Sequence, residues 1–269
     1  METFFQFRSS TSQRAGILVS WLIALLLMIQ PDQAGAAEPE QKTISASVPD
    51  AVQKTDPDAE WHPLLGTEFP GSEWVFFSGQ KDAVFSQTWN VVKDTESTAS
   101  VLVCKGEPHG YLRTRAEYAD FDLRLEWRFP LDPNGNSGIL LFTSGEDRIW
   151  PAALQIQLHQ PELGAVFPVG GAKSANELNP NPMVKLAKPV NQWNQCEIRC
   201  RNGSVAVIIN GQDVGVVQNC LPAIGAIALQ SEGSEVHFRA ISIREIPIIQ
   251  ANVPNMPTKA SPRGLENRR

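Results

Sequence analysis

ADFDLRLEWRF (residues 119–129) runs into PLDPNGNSG (130–138) and ILLF (139–142), and a short loop later comes PAALQIQLHQ (151–160). The first piece alternates strictly. Phe121, Leu123, Leu125, Trp127 and Phe129 fall on one side, with Asp122, Arg124, Glu126 and Arg128 on the other. Successive strand side chains point to opposite faces, so this is a strand with an apolar side against a core and a charged side outward. PAALQIQLHQ repeats the scheme: Leu154, Ile156 and Leu158 face inward, and Gln155, Gln157 and His159 outward. Between the strands, Asp132-Pro133-Asn134-Gly135-Asn136-Ser137-Gly138 is dense in turn residues.

Working outward, turn signals recur at short intervals. Asn202-Gly203 and Asn210-Gly211 are two-residue hairpin signals, because both positions of a type I′ turn need positive φ. They set up a meander of Gln195–Cys200, Val205–Ile209 and Val214–Val217. Further strands are expected at 72–77, 89–92, 101–104, 111–114, 225–230 and 236–246, the last with a bulge near Arg239 where the apolar phase shifts. No window from residue 60 onward reads as a helix of three turns. Many short strands predict an all-β fold, a two-sheet antiparallel β-sandwich of about a dozen strands. Residues 164–182 read as a long loop, a feature that is often functional.

The termini read differently. Arg8 and Arg14 precede the apolar run 15–29, and Ala34-Gly35-Ala36 supplies small residues for signal peptidase, so residues 1–36 are expected to be a signal peptide. The apolar run is short for a membrane span, which needs roughly twenty residues. Export to the periplasm or the outside follows, with no membrane attachment after cleavage. Residues 37–59 are expected to be a disordered linker, 60–247 the domain and 248–269 a flexible tail.

The 269-residue chain carries a formal net charge of −6. The first 36 residues hold two bases and two acids, so the mature chain keeps that charge. Mild acidity argues against nucleic acid, which requires a basic stripe. The four cysteines, Cys104, Cys196, Cys200 and Cys220, match no compact disulfide framework or zinc spacing. Two readings stay open: buried free thiols, or one disulfide joining Cys220 to Cys196 or Cys200. No metal ligand set is assigned, and the sequence indicates neither a cofactor nor an oligomeric state.

The polar strand faces are where a ligand is expected, since packing does not require them. Arg124, Glu126, Arg128, Gln155, Gln157 and His159 are expected together on one concave face, with the 164–182 loop at its rim. Guanidinium forks and side-chain amides suit sugar hydroxyls, and the His159 imidazole can accept or donate a proton. A solvated face of cross-strand ion pairs is the plainer account of the charged row. Asn136 in its turn, and His109 and Tyr111 at a cleft rim, complete the candidate substrate-binding set.

HGYLRT (109–114), ADFDLRLEWRF, NSGILLF (136–142), DRIWPAALQIQL (147–158), QWNQCEIRCRNGSVAVIINGQDV (192–214) and IGAIALQSEGSEVHFRAISI (224–243) resemble, in that order, the 3-keto-disaccharide hydrolase-type domain. The resemblance covers about Glu60 to Ile246 and implies a concanavalin A-like jelly roll. It also implies cleavage of glycosides already oxidised at C3. The ketone acidifies the C2 hydrogen, a base removes it, and the enolate expels the C1 substituent, leaving a product to which water re-adds. That chemistry needs a base, an acid and donors to the enolate oxygen. Glu232, in Ser231-Glu232-Gly233, matches the family pattern and joins Glu126 and His159 as a candidate for proton transfer. Two positions depart from the family. Relatives read roughly Leu-Glu-Val-Gln-Leu where this chain has Leu154-Gln155-Ile156-Gln157-Leu158, and often Gly-Asp where it has Gly164-Ala165. The second functional reading is therefore a non-catalytic, lectin-like carbohydrate-binding module.

Overall fold

The computed structural model describes residues 60–246, apart from 67–68, 95–98 and 184. The signal, linker and tail readings lie outside the described residues. Fourteen strands follow one another among the described residues. β1 (His62–Pro63), β2 (Trp74–Ser78), β3 (Trp89–Lys93), β4 (Ser100–Cys104) and β5 (Gly110–Thr114) come first. Next are β6 (Phe121–Arg128), β7 (Gly138–Ser144), β8 (Ala152–Gln157) and β9 (Val166–Val169). The chain closes with β10 (Asn194–Arg201), β11 (Ser204–Ile209), β12 (Gln212–Val217), β13 (Ala226–Ser231) and β14 (Val236–Glu245). Helical structure among the described residues is one four-residue turn, Phe85–Thr88, and a 3₁₀ turn, Gln160–Glu162.

Two antiparallel sheets form the expected sandwich. The larger has the order β12-β11-β10-β6-β14-β4-β3, with β1 also on β14, and the smaller β2-β5-β13-β7-β8-β9. The inward rows of β6 and β8 meet in the middle. Phe121, Leu123, Leu125, Trp127, Phe129, Leu154, Ile156 and Leu158 are all buried in one core cluster. Side chains of this size contribute about 1.5–3 kcal/mol each on full burial. Alternation in the sequence thus sets which face each strand turns inward.

Local details follow the turn chemistry. Asn202 and Gly203 have φ of 49° and 70°, and Asn210 and Gly211 52° and 77°, as a type I′ turn requires. The bulge expected near Arg239 is present: pairing of β14 with β6 shifts between Arg239 and Ser242, and Ala240 has φ 52°. The 164–182 loop is only partly a loop, because β9 pairs there with β8. Pro168 concealed that strand, and proline is tolerated because β9 is an edge. Cys104, Cys196, Cys200 and Cys220 are all free and buried, so the disulfide alternative is not realised. Burial pushes Cys104 and Cys220 up to about 11, and it raises Cys196 and Cys200 as well.

Candidate functional site

The two polar rows expected on one face lie on opposite sides of the sandwich. β6 belongs to the larger sheet and β8 to the smaller. Their inward rows share the core, so the outward rows of Arg124, Glu126 and Arg128 and of Gln155 and Gln157 must diverge. Period-two patterning tells which residues share a face of a strand but not which sheet that strand joins.

On the larger sheet the charges are partnered. Glu126 accepts from Arg239 Nε at 2.6 Å and from Gln195 Nε2 at 3.0 Å. Arg128 stacks on Trp193, 4.5 Å from the ring centre, and Arg124 on Trp61 at 4.2 Å. Glu126 is thus bound to a guanidinium away from the other titratable candidates, which corrects its expected place beside His159 and Glu232.

The smaller sheet gathers the rest. Cross-strand register sets Phe77 beside Tyr111 and Tyr111 beside Gln230. Leu229 pairs with Ile139, which brings Gln230 to Gly138, and Gly138 pairs with Gln157. With no side chain at 138, the Gln230 amide lies over the backbone there: a β-carbon on Gly138 would run into Gln230 Oε1 and stand 3.5 Å from Gln155 Cγ. Gln155, Gln157 and Gln230 are therefore neighbours, all buried.

Three turns close over the end of this row. Asn136 N donates to Ser234 Oγ at 3.1 Å, and Ser234 Oγ to Asp132 Oδ2 at 2.8 Å. Ser137 Oγ donates to the Gln230 carbonyl at 2.9 Å, and Ser231 Oγ to the Pro108 carbonyl at 3.0 Å. Residues 132–138, 107–110 and 231–235 are thereby tied around one spot, and Glu232 stands there. Burial pushes its carboxyl up, and the nearby His109 and His159 only offset this. His109 Nε2 lies 3.3 Å from Glu107, and His159 Nδ1 lies 3.2 Å from Glu162. The His159 backbone N–H donates to Gln157 Oε1 at 3.0 Å, which fixes the orientation of that amide.

Three buried acceptors around this spot have no hydrogen-bond partner among the described residues: Asn136 Oδ1, Gln230 Oε1 and Glu232 Oε2. Buried polar atoms are normally paired, and a ligand that supplies the missing half is one account of an exception. Amides that both donate and accept, a carboxyl held toward its protonated form and two histidines each backed by a glutamate can bind hydroxyls and move protons.

A bar of chain crosses the same face. Residues 145–151 leave β7, and Asp147 accepts from Tyr111 Oη at 2.7 Å and from Arg113 Nε and Nη2 at 2.9 and 3.1 Å. Arg148 Nη2 reaches the Gly170 carbonyl beyond β9, and Ile149 packs over Gly79 beyond β2. Tyr111, Leu140, Ala153 and Ala228 are sealed beneath it. Tyr111, expected at the rim, is therefore wholly buried, with its hydroxyl committed to Asp147. Instead Trp150, 48% exposed, stands beside His109, Gln230 and Glu232 around a small recess. Sequence reasoning missed Gln230 and Trp150. Gln230 was legible as the outward polar position after Ala226 and Ala228, whereas Trp150 sits in a loop with no period to read.

Among the described residues no group of three or more His, Cys, Asp or Glu side chains is arranged to hold a metal ion, and no helix is long and apolar enough to cross a membrane.

The two antiparallel sheets form a jelly roll, and the family that the sequence matches is a carbohydrate-active one. The chain belongs to the 3-keto-alpha-glucoside-1,2-lyase-like domain family, whose model matches residues 56–244. A protein from Parabacteroides distasonis ATCC 8503, named provisionally as a glycosyl hydrolase, has a similar crystal structure. It is 19% identical with a TM-score of 0.51, over 70% of this chain and 100% of that one. A second such structure from the same organism is 19% identical, TM-score 0.48, over 65% and 89%. A β-glucanase from Bacillus licheniformis is 11% identical, TM-score 0.45, over 70% and 98%. No curated protein matches the chain at a significant level.

Proposed function

We propose that the chain cleaves the glycosidic bond of 3-keto-glycosides by elimination, at the site around Glu232. The observation that carries this is Glu232 itself: a carboxyl raised by burial, one oxygen unpartnered, between two histidines and beside three glutamines. His159, backed by Glu162, takes the C2 proton. The electron pair passes into the C2–C3 enolate, whose oxygen is stabilised by the Gln230 and Gln157 amides. Collapse of the enolate forms the C1–C2 double bond and breaks the C1–O bond, and Glu232 protonates the departing oxygen. Water adding across C1–C2 gives the free 3-keto sugar. The paired carboxylates of ordinary glycoside hydrolysis are not needed.

The test is conversion of a 3-keto-glucoside followed by NMR, with detection of the 2-hydroxy-3-keto-glucal. Glu232→Gln should remove most turnover while binding persists. Full activity in that variant would exclude the role.

One observation favours a second reading, a lectin-like module. Gln155 stands where relatives carry a carboxylate, and an amide cannot titrate. Saturable sugar binding without turnover by the parent chain would select it, and Gln155→Glu should raise activity if the chain is a weakened enzyme.

By the same proposal the protein works outside the cytoplasm, after loss of residues 1–36. N-terminal sequencing of secreted protein should begin at Ala37 or Glu38; an intact chain in the membrane fraction would overturn it.

A further inference from the structure

We propose a second ligand site, for a neutral saccharide, on the outer face of the larger sheet, on the far side of the sandwich from Glu232. A cavity of about 330 Å³ lies there, lined by Arg124, Glu126, Gln195, Glu197, Ala240 and Ser242 among others. That volume is at the lower end of the range for small-molecule sites.

The hollow has a structural cause. Between Arg239 and Ser242 the bulge lifts β14 out of register with β6, and only the small residues Ala240 and Ser242 line that side. Ala240 carries φ 52°, a left-handed conformation that costs a residue with a β-carbon and persists only where the surroundings impose it. Bulges of this kind recur beside binding sites, where they re-aim side chains.

The walls are held in place before any ligand arrives. Arg124 and Arg244 stack on Trp61 at 4.2 and 4.9 Å, and Arg128 and Arg239 on Trp193 at 4.5 and 4.1 Å. Rings that fix long side chains reduce the ordering cost of binding. Glu126 is fixed in turn by Arg239 and Gln195.

Charge selects the class of ligand. Arg239 is shared between Glu126 and Asp94, at 2.6 and 2.9 Å, while Arg124 makes no salt bridge among the described residues. Glu197 pairs in register with Arg124 on the next strand, and its carboxylate only just reaches Arg199, at 4.0 Å. An anion drawn to Arg124 would meet Glu126 and Glu197, and a cation drawn to those would meet Arg124. Hydroxyl groups suit both, donating to carboxylates and accepting from guanidinium, with the Gln195 carbonyl and Ser242 hydroxyl adding one partner of each sort. A polyol without net charge fits this lining best.

The experiment titrates the full chain with maltose, cellobiose, trehalose and a galacturonate dimer, following backbone NMR shifts. At least one neutral disaccharide should saturate shifts at Ala240, Ser242 and Gln195. Ser242→Trp, which fills the hollow, should abolish them, and Arg124→Ala should weaken binding about tenfold, as expected for loss of one charged hydrogen bond. Gln230→Ala, on the opposite sheet, should leave these shifts intact. If Ser242→Trp lowers the melting temperature, Gln195→Ala, which adds no bulk, decides with the same expectation. No shift with any neutral sugar, a preference for the galacturonate dimer, or loss of the signal in Gln230→Ala would each overturn the proposal. Turnover of a 3-keto-glucoside should not change in Ser242→Trp, so this site and the Glu232 site fail separately.

Discussion

The Gln230 side chain occupies the space that any side chain at residue 138 would need, so the bare backbone of Gly138 is what lets three glutamines meet. Gly138→Ala must therefore expel the Gln230 amide from its place. The expected outcome is weaker saccharide binding and reduced turnover of a 3-keto-glucoside, with the fold retained. Chemical-shift mapping of the Gln155, Gln157 and Gln230 side-chain amides checks it; unchanged shifts would show that the amides do not form a unit.

Glu232→Gln should lower turnover by about 10²–10⁴, the range for losing a general acid or base. It should also stabilise the protein at neutral pH. Burial raises the folded-state carboxyl above its unfolded value, so between those values the folded state holds the proton more often. Stability then falls as pH rises through that window, and the penalty is complete above the folded value. Thermal melts of the parent and Glu232→Gln should therefore converge in acid, with the variant higher at pH 7 and above. Parallel curves would remove the burial argument.

Asp147→Ala should free the bar of residues 145–151. The Arg113 guanidinium, opposed by partial burial and helped by the Tyr111 hydroxyl, holds the Asp147 carboxyl below the usual range. Its contribution is therefore present above the unfolded value and fades as pH falls through the lowered one. Hydrogen exchange should speed up at residues 145–151, and Tyr111, now pushed up by burial and its bond to Asp147, should titrate at lower pH. Exchange unchanged in the variant would show that the bar is held by its apolar contacts alone.

Glu126→Gln should leave turnover unchanged, since the larger sheet carries it away from Glu232. Its cost is the ion pair with Arg239, roughly 1 kcal/mol or less for a pair that water still reaches. A large drop in turnover without a matching loss of stability would return Glu126 to the active site.

Much of this was legible in the sequence, for a physical reason. Leu123 and Ile156 are buried because a period of two leaves one face apolar, and Asn202-Gly203 turns the chain because those residues accept positive φ. Neither rule carries long-range information. The row Tyr111–Gln230–Gly138–Gln157 is assembled from four strands spread over more than a hundred residues, and strand order is settled by the packing of whole sheets. Arg124 and Gln155 therefore looked like companions when they are on opposite walls. Tyr111 read as a rim residue because nothing in its own strand announces the loop above it. Glu232 entered as a candidate through the resemblance of Ser231-Glu232-Gly233 to a family pattern, which strand period alone does not supply.

The four buried thiols have a consequence for how the chain meets oxidising conditions. Only a thiolate reacts, and Cys196 and Cys200 are held as thiols in the centre of the sandwich. Mispairing is thus a hazard confined to the interval before the sheets close. Once folded, the chain carries its own clock: alkylation of Cys196 or Cys200 can proceed only as fast as the whole sandwich opens.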